Sequence, residues 1–143
     1  MKSLYAILLL LPSIAFSSSP QEIYKRIVQA NGFWTAPKLV VINSNEVQAE
    51  NRGPVIILYS GLVRAMGNDH ELAAVLGHEL AHGKLGHMGS SHRNEYAADR
   101  LGMQYISRAG YNRCVGAKVL LKMNKVASDT HPASKDRYAK VRC

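Results

Sequence analysis

Acidic residues, cysteines and long apolar runs are what this chain of 143 residues has least of. Only 10 Asp and Glu stand against 18 Lys and Arg, a formal net charge of +8. The basic residues are scattered and form no block like those of nucleic-acid-binding arms, so nucleic acid is not an expected partner. The excess instead favours solubility, or peripheral contact with anionic lipid or cell-wall polymer. The longest apolar stretch, Leu4 to Leu11, is too short to span a bilayer. Two cysteines, Cys114 and Cys143, allow one disulfide at most. A bond between them and two free thiols are both compatible with the sequence. Repeats, low-complexity tracts and interdomain linkers are also missing, and 47% hydrophobic residues in this length support a single core.

Lys2, the apolar run, Pro12 and the small residues after it have the order of a secretory signal peptide over residues 1–17, with cleavage after Ala15 or Ser17. The expected organisation is that segment followed by one domain over 18–143. The protein is expected to be exported, and periplasmic if its source is Gram-negative.

The domain opens with Ser19, Pro20 and Glu22, which match an N-cap, a first-turn proline and a capping-box glutamate. They predict a helix to about Ala30. Leu39 to Ile42 and Val55 to Tyr59 are short β-rich runs between turn formers and predict a small antiparallel sheet. Asn68 or Asp69 caps a helix in which Leu72, Val75, Leu76 and Leu80 recur at helical spacing. Glu95 to Ala109, Val115 to Val126 and a segment starting near Pro132 predict three more helices. The fold class expected is α+β, mostly helical, with the sheet preceding the helix that starts near Asn68.

That helix carries "HELAH". His78 and His82 are one turn apart on one face and can share a metal ion. Glu79 lies on the side where an attacking water would sit, so it is a candidate general base. A third ligand three residues past a glycine does not fit, because Leu85 and Met88 occupy the required positions. "NEYAADRLG" offers Glu95 as the third ligand, with Asp99 one turn on to hold the outer nitrogen of a ligating histidine. His87 is expected to meet the C-terminal helix dipole rather than the metal. His70 and His92 read as solvent-facing.

"NDHELAAVLGHELAHGKLGH", "NEYAADRLGMQYISRAGY" and "THPASKDRYAKV" together resemble the HtpX-type and prenyl-CAAX-type zinc metalloendopeptidases, in particular their small soluble periplasmic members of the BepA and LoiP kind. The resemblance covers residues 55–143. It implies a zincin-like fold and one Zn2+ per chain held by His78, His82 and Glu95. Glu79 is then the base and Asp99 the support of the ligand cluster. The transmembrane helices of the membrane-embedded relatives are missing from this sequence, and so is a C-terminal repeat region, which leaves substrate choice open. His131, anchored by Pro132, falls in the third motif. It is expected either to close the zinc as a fourth ligand, to donate to the developing oxyanion, or only to cap a helix. Arg137 in the same motif is expected to pair with a carboxylate near the site, or else to be an exposed helix arginine. The implied activity is hydrolysis of unfolded or misassembled envelope polypeptides, bound as an extended strand along Val55 to Tyr59. The alternative is a zinc-containing binding or chaperone-like module with a closed site.

Overall fold

The structure, a computed structural model, describes residues 18–123 and 132–143. The expected signal segment and His131 lie outside the described residues. Helix α1 (Pro20–Ala30) starts as its sequence predicts: the Ser19 side chain accepts from Glu22 N while the Glu22 carboxylate accepts from Ser19 N. Its buried residues Ile23, Tyr24 and Ile27 recur every three or four positions, so one stripe faces the core. Full burial of each aliphatic side chain is worth roughly 1.5–3 kcal/mol. The Tyr24 hydroxyl donates to Pro37 O at 2.7 Å and ties the helix to the start of the sheet.

Strands β1 (Lys38–Ile42), β2 (Ala49–Asn51) and β3 (Val55–Tyr59) form a sheet in the order β1-β3-β2. The expected antiparallel sheet is in fact mixed. β2 and β3 pair antiparallel, but β1 pairs parallel with β3, Val40 opposite Ile57. The cause is the path between β1 and β2. After β1 the chain wraps around the end of β3, where Gly61 N donates to Ser44 O, and returns along the far side. Gly61 permits this wrap, since a Cβ there would run into the backbone of Asn45 and Glu46. β3 therefore lies in the centre, with Ile56 and Leu58 fully buried. The sheet passes into a short helix α2 (Ser60–Ala65) that its sequence did not announce.

Helix α3 (Asp69–Lys84), capped by the Asn68 side chain accepting from Glu71 N at 3.0 Å, is the spine of the domain. Every residue from Glu71 to Gly77 is buried. Such all-round burial suits a central helix, and α3 is contacted by α1, α4 (His92–Arg108), β2 and α5 (Arg113–Gly116). Helix α4 begins at His92 rather than Glu95, because the Ser91 side chain caps it by accepting from Asn94 N at 3.2 Å. The helix expected over Val115 to Val126 is instead α5 running into a 3-10 helix (Ala117–Lys122); residues 124–126 lie outside the described residues. Helix α6 (Ser134–Val141) closes the domain. Cys114 and Cys143 are disulfide-bonded, with 5.5 Å between their Cα atoms. Among the described residues no helix is long and apolar enough to cross a membrane.

Candidate metal centre

Two glycines set the site's geometry. α3 and α4 cross at Gly77 and Gly102, where a Cβ on Gly77 would stand 2.9 Å from Gly102 O and one on Gly102 would stand 2.8 Å from His78 N. Backbone touches backbone there. A mid-helix glycine costs about 1 kcal/mol relative to alanine, so it needs a packing reason. The reason is that close crossing brings the first turns of α4 against the turn of α3 that bears His78 and His82.

Glu95 enters from α4 and is 2% exposed. His78 Nε2 lies 2.9 Å from His82 Nε2, Glu95 Oε2 lies 3.4 Å from His78 Nε2, and Glu95 Oε1 lies 3.3 Å from His82 Nε2. Donors about 2.0–2.1 Å from a tetrahedral zinc stand ~3.3 Å from one another, so the three positions fit such an ion. The outer nitrogens support the same reading. His78 Nδ1 meets Asp99 Oδ1 at 2.9 Å, and an ionised carboxylate only accepts, so the imidazole carries its proton there and turns the Nε2 lone pair inward. His82 Nδ1 meets His87 Nδ1 at 2.9 Å. When His82 donates in that pair, its Nε2 also offers a lone pair to the common point. Lone pairs converging with a carboxylate repel one another unless a cation lies between them, a place that a proton on His78 takes in the metal-free protein and a metal ion takes by displacing it.

His87 lies just past the end of α3 as a helix-end residue, and its ring also meets His82. The turn at Gly86, with His87 N donating to His82 O at 3.1 Å, folds its ring back against His82. Arg137 comes from α6 and is 5% exposed. Its Nε and one terminal nitrogen grip Asp99 at 2.8 and 2.7 Å, and the same nitrogen stands 3.4 Å from Glu95 Oε2. Asp99 thus pairs with Arg137 as well as with His78. Asp99 and Glu95 share one guanidinium, an excess of negative charge that a cation held by the histidines offsets.

Burial disfavours charge on His78, but Asp99 and Glu95 prevail and push its pKa up to about 10. Burial likewise opposes the charge on Glu95, yet the two histidines hold its carboxyl well below the usual range. Burial also raises the pKa of Glu79, against the opposing pull of His78 and His82. This pattern favours positive charge at the centre of the cluster and proton affinity at its border. His70 is not simply solvent-facing, since its Nδ1 accepts from Asn112 N at 3.1 Å, whereas His92 opens α4 at the surface. Neither joins the cluster.

A cleft of about 1110 Å³ is lined by the residues of this cluster together with Ala49 to Asn51 of β2 and Met88 to Ser90. Val55 to Tyr59 cannot take an added strand as expected, because β3 is paired on both sides. β1 and β2 are the outer strands among the described residues, and β2 is the one that lines the cleft. Arg52 N donates to Val55 O and Tyr59 N to Gln48 O, so Glu50 and Ile57 are also a hydrogen-bonded pair. The backbone groups of Ala49 and Asn51 consequently point away from β3. Sequence reasoning missed Gly77, Gly102, Asn51 and the contact of His87 with His82. The glycines had a signal, being glycines inside a strong helical pattern.

The sequence model of peptidase family M48 matches residues 18–92 and 87–143, two segments that together take in the whole described domain. A comparison with curated proteins gives no match. With the match extending over nearly the entire chain, and a His-His-Glu cluster on α3 and α4 at its centre, the chain belongs to peptidase family M48, a family of zinc metallopeptidases.

Proposed function

We propose that the protein is an exported zinc metalloendopeptidase that hydrolyses unfolded or misassembled envelope polypeptides. The observation that carries this reading is the convergence of His78, His82 and Glu95 on one point beside Glu79, in a cleft that the outer strand β2 also lines. Bound there, zinc supplies Lewis acidity, polarising the scissile carbonyl and making the attacking water more acidic. Glu79 accepts that water's proton and returns it to the departing amine, so that one water is consumed for each peptide bond cleaved. Its raised pKa, caused mainly by burial, suits a group that must take up a proton and give it back. Asp99 holds the His78 ring by its Nδ1 proton, and Arg137 holds Asp99.

The substrate chain lies along β2 as an added strand, bonded to the outward amides and carbonyls of Ala49 and Asn51. An unfolded segment satisfies this requirement, since a folded one keeps its backbone groups paired. Export, and a periplasmic location in a Gram-negative cell, rest on the signal-peptide pattern of residues 1–17. Glu79→Gln is the test. Wild type should cleave an unfolded protein, the variant should be slower by at least a hundredfold, and both should hold one zinc per chain. Zinc in both and cleavage by neither overturns the peptidase reading in favour of a closed binding module.

A further inference from the structure

The edge strand is bolted to the metal helix by a side chain that no ligand set requires. Asn51 Nδ2 donates to the backbone carbonyl of Glu79 at 2.7 Å, while its Oδ1 accepts from Gly53 N at 2.8 Å in the β2–β3 turn. One amide thus joins the residue before the hairpin turn to the helical turn between His78 and His82. Helix α3 leaves room for it. At Gly83 a Cβ would stand 2.8 Å from Asn51 Nδ2, so any larger residue would push the amide off the carbonyl. Asn51 is also one of the two β2 residues whose backbone points away from β3, and it lines the cleft.

We propose that Asn51 is a positioning residue that sets the height of the β2 edge above the metal centre, and so determines which bond of a strand-bound polypeptide lies over it. The physical reason is leverage over distance. Strand pairing fixes a substrate relative to β2, and only the link from β2 to α3 converts that into a fixed distance from the ligands. Placement must be good to a fraction of an ångström for efficient attack. β2 has only three residues and one paired neighbour, so pairing alone holds it weakly. The Asn51 amide supplies the missing constraint and lets substrate bind to a preformed edge.

The inference rests on the peptidase reading, and two variants test it separately from that reading. Asn51→Asp preserves the shape and the acceptor for Gly53 N but turns the donor into an acceptor facing a carbonyl. Gly83→Ala, at an exposed helix position, gains about 1 kcal/mol of helix propensity, which offsets the hydrogen bond lost when the amide is displaced and keeps the melting temperature near that of wild type. Both should retain one zinc per chain, raise KM about tenfold and spread cleavage over neighbouring bonds of a defined unfolded peptide, while kcat falls less than KM rises. A merely structural role would lower stability and activity together and could not yield a Gly83→Ala protein that is as stable as wild type yet binds substrate worse. Unchanged KM and an unchanged cleavage pattern in both variants overturn the proposal and leave the peptidase reading intact. If wild type does not cut at all, the peptidase reading fails. Affinity of the same peptide for Glu79→Gln, with and without Asn51→Asp, then decides: a tenfold loss supports the positioning role and equal affinity ends it.

Discussion

Replacing Arg137 with methionine keeps much of the aliphatic stem and removes the guanidinium that α6 lends to the site. Arg137, Asp99 and Glu95 are 5%, 1% and 2% exposed, so water cannot take over when the cation is lost. Two hydrogen bonds of 2.8 and 2.7 Å to Asp99 disappear, together with the 3.4 Å approach to Glu95. Removing one partner of a buried pair typically costs about 3–5 kcal/mol, because the other charge stays buried and uncompensated. Against a total stability of roughly 5–15 kcal/mol, that loss should be plain in urea unfolding of the metal-stripped protein at pH 7. Saturating zinc returns positive charge to the same carboxylates, so the loss should shrink in the zinc-loaded state. The sign of the pH dependence follows from Asp99. Burial opposes its charge, but Arg137 and His78 hold its carboxyl below the ordinary 3.8. A lowered folded pKa adds stability that is present above the ordinary value and drains away as the pH falls through the folded one. The gap between wild type and Arg137→Met should therefore be widest near neutrality and narrow below about pH 4. A loss under about 1 kcal/mol in the metal-stripped state at pH 7, or a gap that persists unchanged into acid, would refute the account.

His87→Ala should leave the fold intact but weaken zinc binding by about 10–100-fold, read by competition with a chelator, because the outer nitrogen of His82 loses its partner. Equal affinity would make that contact incidental. Gly102→Ala should lower the melting temperature: the helix-propensity gain of about 1 kcal/mol is outweighed by a methyl group 2.8 Å from His78 N, and a higher melting temperature would contradict the helix-crossing argument. Tyr24→Phe should cost about 1 kcal/mol at neutral pH through the lost bond to Pro37 O. Burial pushes the Tyr24 pKa up to about 12, a raised folded value whose contribution is full below pH 10 and lost as the pH rises through 12. Two pKa units are worth about 2.7 kcal/mol, so the advantage of wild type should vanish between pH 10 and 12 and then reverse, and a constant difference would reject that cause.

Much of the site was legible in the chain because its chemistry is written at helical spacing. His78, Glu79 and His82 lie on one turn, and Glu95 and Asp99 on another, so their relation within each helix needs nothing beyond the helix itself. The caps at Ser19 and Asn68 were legible for the same reason, being contacts three residues long. Val55 to Tyr59 misled because β propensity marks a strand without marking its neighbours. Whether β3 is edge or centre depends on how far the chain travels between β1 and β2, and the wrap past Gly61 is a contact across many residues. Arg137 stood between two readings, since an arginine in an amphipathic helix looks alike whether it faces solvent or a buried carboxylate.

By itself the sequence determined the long helices α1, α3 and α4, the donor types and the two short spacings that prepare α3 and α4 each to offer one face to a metal. Tertiary structure decided which faces meet. It closed α3 on α4 through Gly77 and Gly102, brought Arg137 from α6 to Asp99, turned His87 back onto His82 and left β2, not β3, as the outer strand that lines the cleft. The division has a physical cause: helical periodicity and capping are satisfied within a few residues, whereas a helix crossing or a strand order is selected by packing the whole core at once.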